Sequence, residues 1–219
     1  MNLVAKTEII LIRHGETIWN LEERLQGQLD SPLTPLGVAQ AQAVATRLQD
    51  EKFSALYSSD LGRAWQTANT IATRTGHSIV TDPRLREKHF GIVHGLTIAE
   101  VQANHPTIYA ERGVPSPDYA APEGESTRQM LTRGWAAISE IAERHRGERV
   151  VAVTHGGVIS VVIRHILGVP LEQPRRFELT NASLHIIFQT DAAWQVETLG
   201  DVHHLRNLRN LPAFDYVNR

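Results

Sequence analysis

Residues 8–16 read Glu-Ile-Ile-Leu-Ile-Arg-His-Gly-Glu, and the architecture of the chain can be worked out from this stretch. Its apolar run is rich in β-branched residues without polar alternation, which is typical of a strand buried on both faces of a parallel sheet. The run ends abruptly at Arg13, His14 and Gly15. Because a strand of this kind needs a layer of helices on each side, it predicts an α/β protein.

The rest of the chain alternates strand and helix signals in the same way. Further strands are predicted where β-rich runs are bounded by turn residues, at 53–57, 77–81, 149–154, 183–189 and 194–199. Helices are predicted where apolar residues recur at spacings of three and four, at 38–48, 64–72, 125–146 and 158–167. This order predicts a three-layer α/β/α sandwich with a mostly parallel central sheet and a final hairpin.

Local signals mark the starts and ends of the first two helices. Thr34-Pro35 supplies an N-cap followed by a proline at the first helical position. Ser58-Ser59-Asp60 is expected to supply the caps of the second helix, and Gly76 is expected to end it. Val38, Ala41, Ala45 and Leu48 predict one apolar stripe along the first of these helices.

A single domain is predicted over residues 1–219. Within it, the segment at about 88–124 is the least regular, with one predicted helix at 97–104 and several prolines. We interpret this covering segment as an insertion over part of the domain, because long structureless connections are uncommon in compact domains. The polar, arginine-rich tail at 202–219 is expected to be partly ordered at best.

Composition argues against several functional classes. The 219 residues carry Lys+Arg 22 against Asp+Glu 24, and this balance does not fit a strongly basic nucleic-acid binder. The absence of cysteine excludes disulfides, thiol nucleophiles and Cys-ligated zinc. The apolar runs are too short to cross a bilayer, and no signal-peptide pattern is visible. We therefore expect a cytoplasmic protein that binds neither nucleic acid nor membranes.

Three unusual motifs follow predicted strands at the edge where the carboxyl ends of parallel strands meet helix N-termini. They are Arg13-His14-Gly15-Glu16, Ser58-Ser59-Asp60-Leu61-Gly62-Arg63 and Thr154-His155-Gly156-Gly157. Together they gather two histidines, two arginines and backbone N–H donors, a set that suits a dianionic phosphoryl group. The candidate nucleophile is therefore a histidine.

A metal site is the main alternative for these histidines. The sequence contains no His-Glu-x-x-His motif, and the acidic residues beside His14 and His155 do not have metal-ligand spacing. His203 and His204 are adjacent, so their side chains are expected to point in different directions. Neither a Walker loop nor a Gly-x-Ser-x-Gly elbow is present. We therefore expect no metal and no other cofactor.

The ordered set of motifs resembles the histidine phosphatase superfamily, which has the phosphoglycerate-mutase-like fold. The resemblance covers roughly residues 8 to 200, and the motifs follow one another in the order expected of the family. A lone Arg-His-Gly would be weak, but the full set is specific. The matching stretches are 12–17 with Trp19-Asn20, 24–27, 30–34, 58–64, 86–91, 122–126 and 153–157.

This resemblance implies a role for each matching residue. His14 would be the nucleophile that becomes phosphohistidine, and Glu87 would protonate the leaving oxygen and then activate water. Arg13, Arg63 and a cationic His155 would stabilise the transferring phosphoryl group without a metal. The further substrate-binding positions implied are Asn20, Gln26, Gly27 and the backbone N–H of Gly156.

The residues around Glu87 leave another interpretation open. A carboxylate beside Arg84, Arg86 and Lys88 is equally well explained as a member of a surface ion pair. Only the register of the resemblance favours the catalytic assignment.

Two reactions are compatible with such a pocket. A phosphatase passes the phosphoryl group from the histidine to water, whereas a mutase returns it to a second hydroxyl of the bound acid. The mutases of the family carry a lysine and two arginines for the substrate carboxylate, whereas Ile98 stands at the lysine position here and the insertion offers Arg112 alone. Phe90 also replaces the usual tyrosine. These departures favour a phosphomonoesterase of a small phosphorylated metabolite, with a phosphoglycerate mutase as the alternative.

A catalytically inactive binding module is a third hypothesis. The presence of the whole set His14, Arg13, Arg63, Glu87 and His155 disfavours it. The sequence leaves the oligomeric state open, with a homodimer among the options.

Overall fold

The computed structural model describes residues 6–113 and 116–210, without the side chains of residues 112, 113, 209 and 210. Its strands are β1 (Thr7–Arg13), β2 (Ala55–Ser58), β3 (Ile79–Thr81), β4 (Arg149–Thr154), β5 (Leu184–Gln189) and β6 (Trp194–Asp201). They form one sheet in the order β3-β2-β4-β1-β5-β6. The pairings among β3, β2, β4 and β1 are parallel, whereas β1–β5 and β5–β6 are antiparallel, so the mostly parallel sheet and the final hairpin are confirmed.

Helices cover both faces of the sheet. Side chains alternate along a strand, so neighbouring residues of β1 face opposite sides of the sheet. Ile9 and Leu11 pack against α6 (Thr127–Arg144) and α7 (Gly156–Ile166). Ile10 and Ile12 pack against α2 (Pro35–Leu48) and α3 (Gly62–Thr75). Two separate apolar cores therefore sandwich the sheet, and the predicted three-layer α/β/α architecture is confirmed. The helices are α1 (Ile18–Leu21), α2 (Pro35–Leu48), α3 (Gly62–Thr75), α4 (Ile98–Asn104), α5 (Pro106–Gly113), α6 (Thr127–Arg144) and α7 (Gly156–Ile166).

The register of β1 against β4 places the two motif histidines side by side. Arg13 pairs with Thr154 at the last step of the parallel ladder. The backbone N–H of His14 then donates to the Thr154 carbonyl at 3.0 Å. Both strands end at the same level, so His14 and His155 emerge together at the carboxyl edge of the sheet.

The start of α2 follows the prediction, and the start of α3 does not. Thr34 caps α2 by accepting from Gly37 N at 2.9 Å, and Pro35 is its first residue. The N-cap of α3 is Leu61, which makes no side-chain cap, and the carboxylate of Asp30 accepts from Gly62 N at 2.6 Å instead. The prediction that Ser58, Ser59 and Asp60 cap α3 is therefore wrong, because the acceptor at the helix start comes from a distant loop.

The apolar stripe predicted on α2 is correct at three of its positions. Ala41, Ala45 and Leu48 are buried, whereas Val38 is 44% exposed. Gly76 ends α3 in the left-handed conformation with φ 77°, as predicted.

The covering segment has a small apolar core of its own, formed by Val93, Val101 and Ile108. The predicted helix at 97–104 is present as α4, with Thr97 as its N-cap. Helix α5 was not predicted. Pro106 suggested a break in the chain, whereas it is the first residue of a helix, a position that tolerates proline.

Part of the arginine-rich tail belongs to the fold. Residues His203–Asn210 form a 3₁₀ helix, and Leu205 packs into the core on the α2 and α3 side. The expectation for residues 211–219 lies outside the described residues.

Candidate active site

Two buried histidines form the centre of the site. His14 follows β1 and is 3% exposed, and His155 is the N-cap of α7 and is fully buried. Their ring centroids are 5.1 Å apart, with an angle of 57° between the ring planes. The strand-end pocket, defined as Arg13, His14, Arg63, Glu87 and His155, is built around this pair.

The hydrogen bonds of His14 fix its tautomer. Its Nδ1 lies 2.7 Å from the Gly15 carbonyl oxygen, which can only accept, so Nδ1 carries the proton. Arg63 Nε donates to Nε2 at 3.3 Å, so Nε2 presents a lone pair. Burial, together with the cationic Arg63 and Arg13, holds the pKa of His14 well below its ordinary value. The ring is therefore neutral, with Nε2 unprotonated.

Arg63 is the second residue of α3 and its side chain is 1% exposed. Backbone carbonyls hold its guanidinium: Nη2 donates to Gly27 O at 2.7 Å and Nη1 to Leu29 O at 2.8 Å. Nη1 also pairs with the Asp30 carboxylate at 3.1 Å. Because these acceptors hold both Nη atoms of the guanidinium, its Nε is directed at His14 with little freedom to rotate.

Arg13 ends β1 and completes the cationic side of the pocket. Its Nη1 donates to the Leu179 carbonyl oxygen. A Cβ placed on Gly156 would lie 3.5 Å from Arg13 Nε, so the guanidinium passes along the first residue of α7. This brings Arg13 beside the helix N-terminus, where backbone N–H groups favour an anion.

His155 differs in protonation from what the sequence predicts. Its Nε2 lies 2.8 Å from Ser59 Oγ, and its buried Nδ1 has no hydrogen-bond partner among the described residues. Burial, followed by the charge of Arg63, lowers the pKa of His155 well below its ordinary value. The protein groups alone therefore favour a neutral ring, and the expected cation requires a nearby anion to raise the pKa.

Glu87 reaches the same helix N-terminus. Its carboxylate accepts from Gly157 N at 2.9 Å and from Lys88 N at 2.8 Å. A Cβ on Gly157 would lie only 2.0 Å from Glu87 Oε1, so the close approach depends on glycine. The carboxylate is thus seated on backbone donors at the edge of the pocket.

The neighbouring cations that could have held Glu87 at the surface bind other groups. Arg84 pairs with Asp82 and Glu140, and Arg86 pairs with Asp60. The Lys88 ammonium donates to Thr127 Oγ1 at 3.1 Å. Arg84 and Arg86 therefore pair with carboxylates other than Glu87, unlike the surface ion pair that the local sequence allowed.

Comparison with known proteins gives the same family. The sequence model for the histidine phosphatase superfamily (branch 1) matches residues 9–202. The chain belongs to the histidine phosphatase superfamily. It is 36% identical over 222 residues to the probable phosphoglycerate mutase GpmB of Yersinia pestis, and the match covers 97% of this chain and 99% of that one.

Solved structures of this superfamily superpose closely. YhfR of Bacillus stearothermophilus has a TM-score of 0.82 at 35% identity, covering 91% of this chain and 99% of that one. A mycobacterial glucosyl-3-phosphoglycerate phosphatase in complex with VO3 has a TM-score of 0.76 at 32% identity, covering 88% and 98%. The relatives include both phosphatases and a mutase by name, so the chain is an enzyme of this superfamily and its particular reaction needs a separate argument.

The substrate-binding positions that the resemblance implies occupy different places in the structure. Asn20 lies in α1, where its side chain accepts from Thr17 N at 3.1 Å. Gly27 has φ 51° and its carbonyl holds Arg63. Gly156 is the first residue of α7. Gln26 is buried, and its Oε1 has no hydrogen-bond partner within the described ranges.

Several supporting residues were not predicted from the sequence as members of the site. Asp30 and Ser59 lie inside matching motifs but were not assigned roles, although they hold Arg63 and His155. Arg133 of α6 donates to the carbonyl oxygens of Arg86 and Glu87 at 2.6 and 2.9 Å. Asn181 lies beside His14 and Asn20. Apart from the two motif residues, no local pattern singles these positions out.

A cavity of about 350 Å³ lies beneath the covering segment. None of the five strand-end pocket residues lines it, but Lys88, which follows Glu87 in the chain, does. Its wall combines apolar groups with charged ones, among them Lys88, Phe90, Ile108, Tyr119, Arg164 and Leu171. The side chain of Arg112, which the sequence offered as a substrate contact, lies outside the described residues.

Metal-binding clusters and membrane-spanning helices are both absent from the part of the chain that the structure describes. No group of three or more His, Asp or Glu side chains there is arranged to hold a metal ion. In the same ranges, no helix is long and apolar enough to span a bilayer.

Proposed function

We propose that this histidine phosphatase is a metal-independent phosphomonoesterase that hydrolyses a small phosphorylated metabolite through a phosphohistidine at His14. The neutral tautomer of His14 carries the proposal. Its Nε2 holds a lone pair beside the buried guanidinium of Arg63, while Nδ1–H is tied to Gly15 O at 2.7 Å. A nucleophile and a cation are thus oriented toward the same position before substrate binds.

The first step transfers the phosphoryl group to His14. The Nε2 lone pair forms a bond to phosphorus as the bond from phosphorus to the ester oxygen breaks. Glu87, in its protonated form, gives its proton to that oxygen, so an alcohol leaves. Arg13, Arg63 and the backbone N–H of Gly156 stabilise the charge on the three equatorial oxygens.

The second step returns the phosphoryl group to water. The Glu87 carboxylate accepts a proton from water as the oxygen bonds to phosphorus and the bond to Nε2 breaks. Inorganic phosphate leaves and His14 regains its neutral form. The contact of Glu87 with Gly157 N at 2.9 Å supports the position of this group, because it places the carboxylate next to the helix N-terminus that faces the phosphate.

The size and lining of the neighbouring cavity support a small substrate. Its volume of about 350 Å³ is at the lower end of ligand pockets. Phe90 and Tyr119 offer apolar surface while Lys88 and Arg164 offer charge, which suits a sugar or carboxylic acid phosphate. A similar solved structure bears the name of a phosphatase of glucosyl-3-phosphoglycerate, a compound of this general class.

A phosphoglycerate mutase is the second candidate. It is favoured by the name of the Yersinia pestis relative at 36% identity. The position of the lysine that serves the substrate carboxylate in the family's mutases disfavours it, because that position holds Ile98, which is 37% exposed. Phe90 also replaces the tyrosine that is usual in those mutases.

Turnover assays distinguish these candidates. We expect hydrolysis of p-nitrophenyl phosphate and of small phosphate esters, and much slower isomerisation of 3-phosphoglycerate with or without 2,3-bisphosphoglycerate. An acid-labile, base-stable phosphoenzyme should be trapped on rapid quenching, and vanadate should inhibit competitively. Faster isomerisation than hydrolysis would establish the mutase, and the absence of any turnover would support an inactive binding module.

A further inference from the structure

Asn181 contacts two members of the site although the proposed mechanism does not use it. It lies in the connection between α7 and β5 and is 7% exposed. Its Nδ2 donates to the His14 carbonyl oxygen at 3.1 Å and to Asn20 Oδ1 at 3.2 Å. A single buried amide therefore joins the backbone of the nucleophile to the side chain of Asn20.

The bond from Asn181 to Asn20 is one of three that the Asn20 side-chain oxygen accepts. Asn20 Oδ1 accepts from Thr17 N and Thr17 Oγ1, each at 3.1 Å, in addition to Asn181 Nδ2. An amide oxygen has two lone pairs, so these three donors saturate it. Among the described residues no acceptor lies within hydrogen-bonding distance of Asn20 Nδ2. The network thus fixes which end of the amide is the oxygen and leaves the NH2 group for a ligand.

The loop that carries Asn181 is anchored to the same strand end. Ala182 N lies 3.1 Å from Arg13 O and 3.2 Å from His14 O, and the Leu179 carbonyl accepts from the Arg13 guanidinium. Ala182 has φ 60°, a left-handed conformation that L residues rarely adopt. His204 Nε2 lies 2.9 Å from the Ala182 carbonyl oxygen and supports the turn. Asn181 is therefore held rigidly beside His14.

We infer that Asn181 is a positioning residue that orients the amide of Asn20, so that its NH2 group is presented to the transferring phosphoryl group. This inference rests on the proposed function and on the substrate-binding role that the family resemblance implies for Asn20. Without the Asn181 donor, Asn20 Oδ1 keeps only its two bonds from Thr17, so the amide is held less firmly against rotation about its last torsion. A donor that is present only part of the time stabilises the transition state less.

A double-mutant cycle tests the inference. We expect Asn181→Ala to lower the single-turnover rate of His14 phosphorylation by roughly five- to tenfold, the loss typical of one buried hydrogen bond. In an Asn20→Ala background the same substitution should cost less than about twofold, because the group it orients is gone. Asn181→Asp, which replaces the donor with an acceptor, should cost more than Asn181→Ala in the wild-type background.

Several controls separate the possible outcomes. Asn69→Asp, at an exposed position of α3, makes the same change of charge and should leave the rate unchanged. Equal losses from Asn181→Ala in both backgrounds, or no loss in the wild type, would overturn the inference, and thermal unfolding midpoints would identify a purely structural effect. If Asn181→Asp fails to fold, the cycle with Asn181→Ala still decides. A wild-type protein without phosphorylation of His14 would instead show that the proposed function is wrong.

Discussion

The strand-end pocket and the cavity beneath the covering segment lie next to each other but are built differently. In the pocket, His14, Arg63 and His155 are 3% exposed or less. Arg63 and Arg13 are held by carbonyls from distant loops. Most side chains that line the cavity are half-buried or exposed, although Val93, Ile108 and Arg164 in its wall are buried. The described part of the covering segment has a buried apolar core of three residues.

This difference separates chemistry from recognition. Charged groups buried within 3–4 Å of each other must be fully oriented, because an unsatisfied partner costs far more than it does in water. In the proposed function the cavity receives the part of the substrate that does not react, so we expect changes to its side chains to leave the sheet edge undisturbed. We therefore expect substitutions in the pocket to abolish the reaction and substitutions in the cavity to change the choice of substrate.

The largest effect is expected at the nucleophile. His14→Ala should reduce hydrolysis of p-nitrophenyl phosphate by roughly 10⁵-fold or more, because no other group can form the covalent intermediate. Circular dichroism and the thermal midpoint check that the fold persists, and His203→Ala, at an exposed histidine, serves as the matched control. Activity within tenfold of the wild type would refute the assignment.

Glu87→Gln should have an effect that depends on the leaving group. It keeps the size of the side chain but removes the proton, so phosphorylation of His14 by an alkyl phosphate should slow by about 10²–10⁴-fold. p-Nitrophenolate leaves readily without a proton, so its rate should change much less. The measurement is pre-steady-state phosphorylation with both substrates. Equal losses would instead indicate that Glu87 only positions other groups.

A comparison of two neighbouring glycines tests the seat of Glu87. The methyl group of Gly157→Ala would lie 2.0 Å from Glu87 Oε1 and displace it, whereas that of Gly156→Ala would lie 3.5 Å from Arg13. We expect Gly157→Ala to slow hydrolysis of an alkyl phosphate by roughly 10- to 100-fold, within the range of a displaced general acid. Gly156→Ala should cost much less in the same assay, and similar losses would contradict this account.

Acid should destabilise the folded protein through the buried histidines. Burial lowers the pKa of His185 from 6.5 to about 4 and also lowers those of His14 and His155. Below pH 6.5 the unfolded chain binds protons that the folded chain does not, so the free energy of unfolding falls as the pH falls. The slope approaches about 1.4 kcal/mol per pH unit for each such histidine.

Urea unfolding at pH 7.5, 6.5 and 5.5 measures this slope, a range chosen to lie above the titration of ordinary carboxylates. His185→Gln should lower the free energy of unfolding at every pH, and it should reduce the slope of that free energy with pH by the contribution of one histidine. His203→Gln, at an exposed position, should leave the slope unchanged. A wild-type stability that is flat over this range would mean that the folded chain binds as many protons as the unfolded chain, so the pKa values of the buried histidines would not be lowered by folding.

The smallest effect is expected in the cavity. Tyr119→Ala removes a half-buried aromatic wall, so KM should rise by roughly tenfold or less for substrates whose leaving group reaches it. Hydrolysis of the phosphohistidine should keep its rate, because that step no longer involves the leaving group. A panel of phosphate esters measured by kcat/KM checks this. A uniform loss of kcat/KM across all esters would show that Tyr119 stabilises the fold rather than contacting the leaving group.

Much of the fold followed from local sequence because its signals act locally. The β-branched run before Arg13 and the Thr34-Pro35 cap need no distant partner to form a strand and a helix start. The motif positions could also be predicted, since every parallel strand of this architecture ends at the same edge. The helix α5 was missed because a proline breaks a helix in its middle but can begin one.

The sequence by itself determined the layers, the strand ends and the residues that can carry the chemistry. Only the tertiary structure decided how those residues are held. Asp30 caps α3 from a distant loop, Ser59 binds His155 rather than capping a helix, and Asn181 reaches the site from the far end of the chain. The protonation of His14 and His155 was settled in the same way, because a pKa depends on burial and neighbouring charge. These contacts depend on the register of β1 against β4 and β5, which brings together groups far apart in sequence.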